Sequence, residues 1–239
     1  MFDEVLSRVS DLGISEVARR AGLSRSTLHR ILAGSAEPTI STMREIAVAC
    51  GLDLVVAARP LSDPAAAMAA RVLLDEETPE QGQSAEVIAW TARLRRQAGE
   101  DPVELVRAAG LSAAPRHRTG AVFLRGRVSA KRLASAGQAA GGSWALSGAL
   151  GLSLAVPTCG PSLLWVDDVI RTQQMLADTF KPSSSEGADL IVAPTYDGLM
   201  FGAFEVDRVR YVAPIQQVID GFGLGAETSA AAAAIAREW

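Results

Sequence analysis

The sequence predicts a multidomain chain: an all-α N-terminal domain of five helices, a helical middle region, and an α/β C-terminal domain. Three observations carry this. Residues 14–34 place apolar side chains three and four apart on both sides of a glycine turn, the period of two short helices with buried faces. Residues 60–64 begin and end in proline, and each proline biases its predecessor away from helix, which marks a hinge. From residue 162 onward, short apolar runs alternate with amphipathic ones, the pattern of an α/β domain. The expected boundaries are 1–60, a hinge and linker over 61–84, a basic region over 85–128, and the α/β domain over 129–239.

Residues 2–12 are the expected first helix. Ser15 is a candidate N-cap for a second helix over 15–21, because its hydroxyl oxygen can accept from an orphan N–H of the first turn. Gly22 stands where that helix must stop and the chain must bend. Ser24 then caps a third helix over 24–33. Val17, Ala18, Ala21, Leu23, Leu28, Ile31 and Leu32 form the buried faces of the pair. Arg25, Ser26, Thr27, His29 and Arg30 point outward; every one can donate a hydrogen bond and none is acidic. Such a face suits a DNA major groove, lined with phosphates and base acceptors. A loop at Glu37-Pro38-Thr39 leads to a helix over 40–52. The short apolar run 54–58 reads either as a strand or as the tail of the five-helix unit.

Residues 65–74 have good helix propensity, and 75–84 form an acidic linker containing Pro79 and Gly82. Residues 85–97 are amphipathic, and Asp101-Pro102 starts a further helix that ends at Gly110. A basic stretch with Arg116, His117 and Arg118 precedes an expected strand over 121–128, which holds Arg125 and Arg127. Two helices, a basic loop and a strand read as a degenerate winged helix, or as an ordinary helical connector with solvated arginines. Helices are expected at 129–140, 143–154, 168–180, 214–222 and 228–239, and strands at 162–166, 189–193, 199–206 and 209–212. A loop is expected over 181–187.

The net charge of −4 argues against a non-specific nucleic-acid binder, but its distribution is uneven. Residues 14–34 carry four arginines against Glu16 alone, and residues 91–132 carry ten basic side chains against three acids. Residues 133–239 carry five basic side chains against eleven acids. The chain therefore holds two positive islands in an acidic background. No apolar run approaches the roughly 20 residues that span a bilayer, and Cys50 and Cys159 have no metal-type spacing, so a reduced, cytoplasmic setting is expected.

A catalytic site is hard to assemble. The two histidines lie on the third helix and in the arginine-rich loop. Gly142-Ser143 before Asp167-Asp168 has a faint nucleotidyltransferase look, but adjacent carboxylates on a strand face opposite ways. Asp189, Asp197, Glu205 and Asp207 lack the lysine of a nuclease cluster, and Ser147 has no histidine in its half to serve as base. No enzyme activity, cofactor or metal is expected.

Residues 14–34, the 37–39 loop and the helix closing at Cys50-Gly51-Leu52 resemble the lambda-repressor/Cro (XRE) family over roughly residues 1–58. That resemblance implies a sequence-specific DNA-binding transcriptional regulator, a repressor, binding double-stranded DNA as a homodimer on half-sites one helical turn apart. It implies base reading by Arg25, Ser26 and Arg30, with Ser15, Thr27 and His29 on the phosphate side and the capping Ser24 within the same DNA-binding site. Many members open the second helix with a phosphate-binding glutamine; here Ile14-Ser15 stands in its place, and Ser15 offers a shorter contact. Arg116, Arg118, Arg125 and Arg127 are candidates for a second DNA footprint.

Residues 120–239 resemble, more loosely, the C-terminal domain of AbiEi-type antitoxins of type IV toxin–antitoxin systems. The residues that carry this are Trp144 with Ser147-Gly148 and Ala149-Leu150, then Pro214, Ile215, Gln216 and Asp220, and the alanine-rich closing helix. The resemblance implies an interaction domain that takes a toxin, and the alternative function of an antitoxin that autoregulates its operon; a sensor domain for a small-molecule effector is a further expectation for the α/β half.

Overall fold

A computed structural model describes residues 2–74 and 84–239. The acidic linker expected over 75–84 lies, except for Ser84, outside the described residues. The chain divides into two compact units, Met1–Arg59 and Pro60–Trp239.

The N-terminal unit holds helices α1 (Phe2–Leu12), α2 (Ile14–Arg20), α3 (Arg25–Leu32) and α4 (Ile40–Ala49). Five helices were expected; among the described residues of this unit there are four, and 53–59 form neither helix nor strand. The reason is chemical: Val55, Val56 and Ala57 are exposed and bury no face that would hold a fifth helix together. The core joins Val5, Val9, Val17, Ala18, Leu28, Ile46 and Cys50. Thr39 caps α4 by accepting from the Thr42 amide at 3.1 Å.

The second unit begins with helices α5 (Pro64–Leu74), α6 (Ala85–Ala98) and α7 (Pro102–Ser112). A 3-10 turn at Pro115–His117 leads to β1 (Val122–Gly126). Then follow α8 (Ala130–Ala140), β2 (Trp144–Gly148), α9 (Ala149–Leu152), β3 (Ser162–Val166), α10 (Val169–Leu176), β4 (Phe180–Pro182) and β5 (Leu190–Pro194). The chain closes with β6 (Phe204–Val206), β7 (Val209–Tyr211), α11 (Pro214–Leu224) and α12 (Ala226–Ala236). The seven strands make one sheet in the order β4-β1-β5-β3-β2-β7-β6. The pairs β3–β5 and β2–β7 are parallel and the others antiparallel.

Alternation along each strand splits the sheet into two buried faces. Leu124, Leu146, Leu164, Leu190 and Val192 pack with Leu133 of α8 and Leu176 of α10. Ala145, Leu163, Trp165, Ile191 and Ala193 pack on the other side with Leu199, Val212 and Leu224. A third cluster unites α5, α6 and α7 with α11 and α12. Two glycines allow α7 and α11 to meet: a Cβ on Gly223 would lie 2.8 Å from the Gly110 carbonyl oxygen and 2.7 Å from Pro115.

Three expectations for this unit are corrected. The winged-helix reading of the middle region fails because β1 is an interior strand, bonded to β4 on one side and β5 on the other, and not part of a wing. The expected helix over 143–154 is the strand β2 followed by one short helical turn. A strand buried on both faces shows no alternation, and Gly148, at φ 67, breaks the chain between the two. The expected strand over 199–206 reduces to β6. Gly198 and Gly202 turn the chain first, and the buried Arg71 on α5 holds that turn through the carbonyls of Gly198 (3.2 Å) and Phe201 (2.7 Å).

Candidate nucleic-acid interface

The α2–α3 hairpin is built by short-range chemistry. Gly22 takes φ 66, which a glycine adopts without steric cost, and lets the chain reverse between the helices. Ser24 Oγ accepts from the Thr27 amide at 3.0 Å and caps α3. The same oxygen lies 2.9 Å from Ser26 Oγ and 2.8 Å from Thr27 Oγ1, so these three hydroxyls form one local network at the start of α3. Leu28 is fully buried and fixes which way the helix turns. Ser35 Oγ donates to the Arg30 carbonyl at 3.0 Å and closes the far end.

The exposed face of α3 is then set by the helical period. Arg25 and His29 stand one turn apart, as do Ser26 and Arg30, and all four are exposed. Arg25, His29 and Arg30 have no side-chain partner among the described residues. Their donors are committed to nothing among the described residues.

Ser15 is placed differently from the expectation. Helix α2 starts at Ile14, after Gly13 at φ 84, so Ser15 lies inside the first turn and is not its cap. It is exposed. The positive charge of α2 is also reduced. Glu16 bonds Arg19 at 2.6 Å and Arg20 at 2.8 Å, and those two guanidinium groups hold its carboxyl down at about 2.

The second basic island is not one continuous face. Arg118 is half-buried over the rings of Tyr196 (4.9 Å) and Trp165 (5.9 Å), and burial pulls its pKa down. Arg116 is half-buried as well. Arg107 lies over Phe222, and Arg132 binds Asp178 and the Met175 carbonyl. These arginines cover apolar surface or carbonyls, as long cationic side chains do. Arg125 and Arg127 remain exposed and have no partner among the described residues. Pairing of β1 with β4 places Lys181 directly opposite Arg125. Sequence reading missed Lys181, because only strand register brings it there. Like charges opposite one another in a ladder repel, and a bound anion relieves that.

The Asp167-Asp168 pair has structural partners. Asp167 accepts from the Ser143 amide at 2.7 Å and the Thr195 hydroxyl at 2.5 Å, and those bonds lower its pKa. Asp168 caps α10 through the Arg171 amide at 2.9 Å. Ser147 is fully buried in β2. Among the described residues no group of three or more His, Cys, Asp or Glu side chains is placed to hold a metal ion, and no helix is long and apolar enough to cross a membrane.

One buried polar cluster was not foreseen. Asp220 accepts from Trp165 Nε1 at 2.9 Å and from Gln216 Nε2 at 2.8 Å, and burial pushes its carboxyl up to about 6. Tyr196 stands edge-on to Trp165, with ring centroids 5.6 Å apart.

No curated protein and no solved structure matches the chain. A family model described as a helix-turn-helix domain matches residues 8–59, which span α2, the turn, α3 and α4. The α2–turn–α3 geometry agrees with that description.

Proposed function

We propose that the protein is a sequence-specific transcriptional repressor of the XRE type that binds double-stranded DNA through α3. The observation that carries this is the free donor face of Arg25, His29 and Arg30 on a helix whose other face is locked in the core. Arg25, Ser26 and Arg30 read bases in this reading, and Ser15, Thr27 and His29 contact phosphates. Ser24 serves the backbone as a cap.

Arginine bonded to guanine O6 and N7 is the commonest specific contact in a major groove. Replacing Arg30 by Ala is expected to cost about 1–3 kcal/mol of binding and to relax sequence preference at one position. The test selects bound fragments from the source genome and then footprints them with Arg30→Ala. Unchanged affinity and preference would overturn the assignment.

One such unit covers only a few base pairs, so the reading includes a homodimer on paired half-sites. Ile40 and Val48 on α4, and Val55 and Val56 after it, are apolar and between 58 % and 72 % exposed, which supports self-association. Sedimentation of the full chain tests this. Arg125, Arg127 and Lys181 form the second phosphate contact in this reading, in place of the inward-turned Arg116 and Arg118. No catalytic step is part of it.

A second reading makes the protein an antitoxin that holds a toxin through its C-terminal unit and autoregulates its operon. It is favoured by the convergence of Gln216 and Asp220, both carriers of the AbiEi resemblance, in one hydrogen-bonded core cluster with Trp165. It requires a toxin-like nucleotidyltransferase encoded next to this gene and a stable complex on co-expression. Absence of both would remove it.

A further inference from the structure

The outer surface of α8 and the β6–β7 hairpin border an open cleft of about 660 Å³. Its floor is apolar, from the buried Ala134 and Val209. Lys131, Ser135 and Gln138 reach it from one stripe of α8, at positions i, i+4 and i+7. Asp207 and Arg208 reach it from the hairpin turn. Lys131 and Arg208 have no side-chain partner among the described residues.

The hairpin makes the choice of residues informative. Val206 pairs with Val209, so the turn has two central residues, and both take positive φ: 51 at Asp207 and 65 at Arg208. This is the turn for which Asn-Gly is the favoured sequence, because glycine accepts positive φ without strain. Asp207 and Arg208 are the two non-glycine residues with positive φ among the described residues. An arginine there costs stability that glycine would not, while it sets a guanidinium at the cleft rim.

We propose that this cleft binds a small phosphate-bearing molecule. Lys131 and Arg208 supply the charge, and the Ser135 hydroxyl and Gln138 amide supply further donors. The single acid, Asp207, leaves two cations in excess by one. The volume falls in the usual range for small-molecule sites, roughly 300–1,000 Å³. A nucleic-acid duplex fits less well, because residues 133–239 carry eleven acids against five basic side chains, and an extended phosphate backbone would meet that excess. The site is separate from α3, and its occupancy is measured without DNA, so its failure leaves the repressor reading intact.

Calorimetric titration of the full chain with pyrophosphate, at low ionic strength and against a sodium chloride blank, is the test. The expected result is saturable one-to-one binding, about tenfold weaker for Lys131→Ala and for Arg208→Gly, and unchanged for Arg171→Ala, an exposed cation on α10. Arg208→Gly is also expected to raise Tm by about 2–4 °C, because glycine relieves the positive φ. Better folding with weaker binding separates a ligand-holding side chain from a structural one. Absence of saturation overturns the proposal, as does equal weakening by Arg171→Ala. Loss of duplex DNA affinity in the two variants without pyrophosphate saturation overturns it too, and reassigns the cations to the nucleic-acid surface.

Discussion

Replacing Asp220 by Asn takes an ionisable carboxyl out of the interior of the C-terminal unit. Asp220 is 2 % exposed and receives hydrogen bonds from Trp165 on β3 and Gln216 on α11. Ser147 on β2 and the Arg71 guanidinium on α5 also favour the carboxylate. Burial outweighs all of them, and the carboxyl rises from 3.8 to about 6. The folded chain therefore holds a proton that the unfolded chain has released between those two values. Stability from the protonated form is fully present below 3.8 and is lost as pH rises through about 6. The full loss is about 3 kcal/mol, since each tenfold change in proton affinity is about 1.4 kcal/mol.

Asn has no such loss. Its amide can donate to Gln216 Oε1, which is buried and without a hydrogen-bond partner, once the Gln216 amide turns over. Asp220→Asn is then expected to stabilise the C-terminal unit at pH 7 by about 1–3 kcal/mol and to flatten its pH dependence between pH 4 and 7. Urea melts of both proteins across that range, followed by tryptophan fluorescence, measure this. A variant less stable at pH 7, or a wild type as flat as the variant, would refute the reasoning.

Four further outcomes follow from the packing and the charges. Leu28→Ala empties the fully buried centre of the N-terminal unit and is expected to cost that unit about 2–5 kcal/mol, with DNA binding lost at lower urea than in wild type. Gly223→Ala drives a methyl into Pro115 and the Gly110 carbonyl, and a loss of about 1–3 kcal/mol is expected in melts of the C-terminal unit. Glu16→Gln frees Arg19 and Arg20, and should raise DNA affinity and steepen its salt dependence, whereas neutralising Arg125, Arg127 and Lys181 together should make the slope shallower. Affinity measured at four or more salt concentrations reads both slopes.

The helix-turn-helix was legible in the sequence because everything that forms it is local. A glycine at the turn, a serine cap and apolar residues three and four apart lie within about twenty positions, and they place Arg25, His29 and Arg30 outward with no distant contact involved. Residues 143–154 show the opposite case. Trp144, Ala145 and Leu146 are apolar in both readings, and only a sheet covered on both faces makes residues 144–148 a strand. The fate of the basic island was likewise decided by packing. Arg118 and Arg125 carry the same charge seven residues apart, but one meets the rings of Tyr196 and Trp165 and the other stands free beside Lys181. The Asp220 cluster draws on β2, β3 and α11, so its raised carboxyl exists only where those elements meet. Local patterns determined the turn at Gly22, the Ser24 cap and the outward face of α3. The tertiary structure decided which charges are free, because burial depends on neighbours that are distant in the chain.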